Sequence, residues 1–123
     1  MEPSRYTTYE AFWPFYVSQH MKPTTRKLHF VGTSLVYACF AAAILLSPAW
    51  ILAAPLAGYG FAWAGHFFSE KNRPATFTYP LWSLRADFRM HRLTLAGRMG
   101  PELERARDLV PASPLTVGHG RYP

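Results

Sequence analysis

Between Lys27 and Glu70 the chain carries no Asp, Glu, Lys or Arg. A helix at a protein–water boundary needs a polar face, so a soluble domain rarely keeps so long a stretch free of charge. A bilayer penalises a central charge by about 2.5–3.5 kcal/mol, which accounts for the absence directly. Within the stretch, Leu28 to Leu46 and Ala49 to Phe68 form two apolar runs separated by Ser47-Pro48, a turn signal. The chain is therefore read as all-α, an integral membrane helical hairpin at residues 28–68 with flanking interfacial amphipathic helices. Each run lies near the lower limit for spanning, which leaves a tilted or shallow hairpin open. Pro55, Gly58 and Gly60 allow the second run a kink and a close approach to its neighbour.

The length of 123 residues suits one domain. Residues 1–99 are assigned to a helical membrane domain and residues 100–123 to a mobile Pro/Gly-rich tail that begins with a brief charged stretch, Glu102 to Asp108. Met1 to Tyr9 is polar and does not read as a signal peptide. Thr7-Thr8-Tyr9-Glu10 fits a capping box with Thr7 as N-cap. The helix it opens sets Phe12, Phe15, Tyr16, Gln19 and His20 on one face, and Pro14 kinks it or shifts its start. That helix is too short and polar to span and is expected at the interface or packed. After Asn72-Arg73-Pro74, a helix from Pro80 to Ala96 carries Leu81, Leu84, Phe88 and Leu95 apart from Arg85, Arg89 and Arg92. It is expected to lie at headgroup level, anchored by Tyr79 and Trp82. Cys39 has no partner thiol and reads as small apolar filling.

The formal charge of +6 does not indicate nucleic-acid binding, because the basic residues flank apolar segments and line no single helix or sheet motif. They form a collar suited to anionic headgroups. Lys22, Arg26 and Lys27 precede the hairpin, while Lys71, Arg73, Arg85, Arg89 and Arg92 follow it. The Ser47-Pro48 turn has none, so both termini are expected in the cytoplasm. The membrane would be the inner membrane of a bacterium or the endoplasmic reticulum of a eukaryote.

His29 precedes the turn by as many residues as His66 follows it. A helix of that length rises about 27 Å, so the two imidazoles return to one depth on the cytoplasmic side. His20, at the end of the first helix, is close enough to join them. Glu70 lies four residues after His66 on the same helical face. Such a set suits Fe(II), Mn(II) or Zn(II) by ligand type. Histidines at an interface also simply bond carbonyls or headgroups, and Glu70 could pair with Lys71 or Arg73. Lys71 and Arg73 could hold a substrate carboxylate, although orientation and snorkelling explain them equally well. Asn72 could cap the second helix. Asp87 and His91 repeat an i,i+4 pair, so His91 could be a further ligand, but it sits among arginines and is read as solvated surface, and His119 falls in the tail.

Three blocks carry a family likeness: Phe15-Tyr16 with His20, Arg26 with His29 and Gly32, and Gly65-His66 followed by Glu70-Lys71-Asn72-Arg73-Pro74-Ala75. Together they resemble the yeast 2-hydroxy fatty acid dioxygenase family of small helical membrane proteins, over roughly Tyr9 to Met90. The resemblance implies an Fe(II)-dependent dioxygenase of fatty acid α-oxidation that removes one carbon from a 2-hydroxy fatty acid using dioxygen. It gives His20, His29 and His66 the ligand role and makes Glu70 the matched acidic residue. Eukaryotic members look longer, with extra apolar segments and another histidine where this chain has only Ser47-Pro48. A zinc-dependent membrane hydrolase with Glu70 as general base is the first alternative. A non-enzymatic membrane protein binding lipid or another helical protein is the second, and an oligomer is left open.

Overall fold

The structure is a computed structural model that describes residues 6–110. All its regular elements are helical, with no strand among the described residues. Helix α1 spans Tyr9–Ser18, α2 Pro23–Leu45, α3 Ala53–Ala64, α4 Pro80–Leu95 and α5 Met99–Leu109. A 3₁₀ turn at Pro48–Leu52 leads into α3, a π-helical segment Gly65–Glu70 continues it, and a 3₁₀ turn at Ala75–Phe77 precedes α4.

The cap of α1 is Thr8, one residue later than the capping-box pattern suggests, and its hydroxyl accepts the Ala11 N–H at 3.1 Å. Pro14 sits inside α1 and is buried. Helix α2 has Pro23 at its first position but no side-chain cap of its own. The missing acceptor comes from Glu70. Its carboxylate takes the Met21 and Lys22 amides at 3.2 and 3.1 Å and the Thr25 hydroxyl at 2.6 Å. A carboxylate at a helix N-terminus satisfies otherwise orphaned donors and the positive end of the helix dipole.

Helices α2 and α3 pack antiparallel, since Gly32 meets Phe61 while Val36 meets Gly58 and Thr25 meets Gly65. A Cβ on Gly32 would stand 2.9 Å from the Cβ of Phe61, and one on Gly65 would stand 3.3 Å from Thr25. These two glycines let the backbones close up on either side of His29. Helix α2 is long and apolar enough to cross a membrane; α3, broken by the 3₁₀ and π segments, is not a single long α-helix.

The buried core lies to one side of this pair. Phe12, Trp13, Tyr16 and Val17 of α1 pack with Ala86 and Met90 of α4 and Ala106 of α5. Two expectations are corrected here. Tyr79 and Trp82 stack on each other and against Phe12, so they belong to the aromatic core rather than to a headgroup belt. The packed domain also does not stop at residue 99: α5 docks on α1 through Ala106, and the Trp13 indole donates to Glu102 at 2.8 Å. Met99 and Ala106 are the buried residues of α5. The tail beyond residue 110, with His119, lies outside the described residues. Cys39 is buried and unpaired, as apolar filling would be.

Candidate metal centre

His20, His29 and His66 come from three separate pieces of backbone. His20 ends the turn after α1, where its amide bonds the Val17 carbonyl. The Arg26 guanidinium then donates to the carbonyls of His20 and Met21, both at 2.8 Å, and folds the connection onto α2. His29 lies two turns into α2. His66 is the second residue of the π-helical segment, whose wider turn displaces the side chain from α-helical register. That segment stops at Lys71, which adopts the left-handed conformation at φ 63°. The reversal lets Asn72 fold back, its amide bonding the His66 carbonyl at 2.9 Å.

The three rings are buried, and one nitrogen from each falls within 4.8 Å of the others. The Nε2 of His29 is 3.1 Å from that of His20 and 3.2 Å from that of His66. On the far side each ring faces oxygen. His20 Nδ1 lies 2.6 Å from the Tyr16 carbonyl and His66 Nδ1 lies 2.7 Å from the Asn72 side-chain oxygen. His29 Nδ1 lies 3.6 Å from the Asp87 carboxylate. Asn72 is oriented in turn by donating to the backbone and side-chain oxygens of Gln19, both at 3.1 Å. Tyr16 stacks on His20 and donates its hydroxyl to Asp87.

These partners decide where the protons sit. A carbonyl and an amide oxygen accept only, so Nδ1 of His20 and of His66 must donate. When those rings are neutral, their Nε2 atoms carry lone pairs, and both face the single Nε2 of His29. That atom can donate to one of them at most. At least one of the two close nitrogen–nitrogen contacts therefore has no proton between its atoms, a conflict that a cation resolves. Burial holds His20 well below the ordinary imidazole range, with the neighbouring histidines adding to the effect, which keeps it in the neutral form a metal needs. The outward oxygens are of the kind that would orient the imidazoles were a metal bound. The three histidines could hold a metal ion. The donor set fits a borderline metal such as iron or zinc.

Asp87 is pushed up to about 7 by burial, against the opposing hydrogen bond from Tyr16. Burial first, and then the Asp87 charge and hydrogen bond, push Tyr16 well above the ordinary phenol range. The solvated-surface reading of His91 is corrected by its burial. Asp87 backs His29, while His91 is buried, bonds Ser34 at 2.9 Å and stacks flat on Phe30. Among the residues given functional roles from sequence, the structure brings together the three histidines. Glu70 sits on the start of α2, engaged by three donors. Lys71 and Arg73 are exposed, with the Arg73 guanidinium over the Phe77 ring. Asn72 and Asp87 are the partners that sequence reasoning missed. Asp87 left one signal, as the single acid in a helix that otherwise carries Arg85, Arg89 and Arg92.

An all-α fold with a buried trio of histidines, each backed by oxygen, defines a class of helical proteins equipped to hold a metal ion. Within that class the family is specific. Residues 6–99 match the family described as 2-hydroxy-palmitic acid dioxygenase Mpo1-like, and the chain belongs to it. Neither a curated protein nor a solved structure matches the chain.

Proposed function

We propose that the chain is an Fe(II)-dependent membrane dioxygenase that shortens 2-hydroxy fatty acids by one carbon, with iron held by His20, His29 and His66. The observation that carries this reading is the set of facing Nε2 lone pairs, imposed by the oxygens behind His20 and His66. The family description supplies the reaction class and the acid. Held by these histidines, Fe(II) would supply the activation of dioxygen for cleavage of a 2-hydroxy acid between C1 and C2.

The chain's own residues do the rest. The Tyr16 carbonyl, Asn72 and Asp87 hold the three rings in register. Burial by Phe12, Tyr16 and Val17 keeps bulk water from that side. Three neutral imidazoles leave a divalent cation uncompensated, which favours an anionic substrate head. Glu70 acts as a positioning residue, tying the His66 segment to the start of the His29 helix. Lys71 and Arg73, both exposed, face anionic headgroups. The membrane assignment rests on α2, whose apolar window is only 22 % buried, unlike the core helix of a soluble protein. The positive collar keeps both termini cytoplasmic. A zinc-activated hydrolase is the second reading, since three-histidine sets also serve zinc.

Elemental analysis of anaerobically purified protein tests the assignment, run beside His20→Ala, His29→Ala and His66→Ala with helicity monitored by circular dichroism. The expected result is stoichiometric iron, lost in each variant while the helices persist, with oxygen uptake dependent on a 2-hydroxy acid. Iron that survives His66→Ala unchanged would overturn the site. Stoichiometric zinc without oxygen uptake would favour the hydrolase, and no metal at all would favour a lipid- or protein-binding role.

A further inference from the structure

A cleft of about 320 Å³ opens beside the triad between α2, α3 and α4. One end is polar, lined by His29 and Asp87, and the rest is almost wholly apolar. Thr33, Val36 and Phe40 continue down α2 from His29 at intervals of three or four residues, which keeps them on one helical face. Ala54 and Ile51 line the far end from across the cleft. From His29 to Phe40 the helix rises about 16 Å. An extended chain of tetrahedral carbons advances about 1.2 Å per bond, as extended backbone does, so the cleft accommodates on the order of a dozen carbons.

We propose that this cleft receives the alkyl chain of the acid whose head sits at the histidines, and that Phe40, Ala54 and Ile51 set the chain length accepted. The inference rests on the dioxygenase reading for the identity of the head; the apolar tail follows from the cleft itself. Its polar mouth is continuous with the triad through His29, so an amphiphile seated there can present its carboxylate end to the histidines without removing its tail from apolar surroundings. Each methylene that fits should tighten binding about fourfold.

Photolabelling of the full chain in phosphatidylcholine–phosphatidylglycerol nanodiscs tests this, using 2-hydroxypalmitic acid with a diazirine near its methyl end. Adducts mapped by mass spectrometry are expected near Phe40, Ile51 and Ala54, and unlabelled 2-hydroxypalmitic acid should compete them away. Ala54→Phe should cut the competed labelling at least about tenfold, in line with the loss of two methylenes' worth of binding. Leu56→Phe, at an exposed position, should leave it unchanged. Phe40→Ala should shift the tightest-binding competitor to a longer acid, which keeps the test decisive if Ala54→Phe does not fold. Adducts on Ile44, Leu45 and Leu56 that resist competition would place the tail in bulk lipid and overturn the proposal. Competed cleft labelling without oxygen uptake would uphold the cleft while sinking the dioxygenase reading; oxygen uptake with outer-face labelling would do the reverse.

Discussion

At one end of the α2–α3 pair, Phe12, Trp13 and Tyr16 are sealed from solvent at 0–1 % exposure; at the other, Ile44, Leu45, Leu52 and Leu56 stand 72–82 % exposed. The residue chemistry is similar and the burial is opposite. A soluble protein that left such a patch bare would risk aggregation, whereas a lipid-facing tip has no reason to cover it. On the membrane reading proposed above, the two ends answer to different solvents. The triad lies at the end where protein packs on protein, and there buried polar groups can be given partners.

Four changes would break or sharpen that contrast. The largest effect is expected from Phe12→Ala, which removes a fully buried ring and should cost about 3–5 kcal/mol in chemical denaturation. A cost below about 1 kcal/mol would mean that the aromatic core is not the stabilising end. Glu70→Ala should follow at about 2–3 kcal/mol, because three donors at the start of α2 lose their charged acceptor. Glu70→Gln should recover part of this, and its metal content should stay stoichiometric if Glu70 only positions. Asp87→Asn should weaken metal affinity about 10–100-fold in competition with a chelator, with little change in helicity. Unaltered affinity would remove Asp87 from the support of His29. Leu56→Ala at the exposed tip should shift stability in detergent by less than about 0.5 kcal/mol. A larger loss would show that protein, not lipid, covers that surface.

The helical class and the convergence of His20, His29 and His66 were legible because both depend on local spacing. A charge-free run and a single turn at Ser47-Pro48 determine which residues return to the same depth. What stayed hidden depends on tertiary contact. Asp87 and His91 sit on a helix with three arginines, and composition alone makes that helix look wet. Only the docking of α4 on α2 turns His91 toward Ser34 and Phe30 and brings Asp87 behind His29. Glu70 offered two local cations as partners, but the structure spends it on backbone amides far away in sequence, where a helix lacked a cap. The docking of α5 was equally invisible, since its buried contribution is little more than Met99 and Ala106.

The scattering of the triad's supports along the chain bears on how the protein is made. A ribosome that has released the chain through His66 has delivered all three imidazoles, but neither Asn72 nor Asp87. Until those emerge, two of the three rings are free to turn, and Glu70 has not yet clasped the start of α2. A metal held by these histidines would therefore find an ordered site only once the chain through Asp87 is in place.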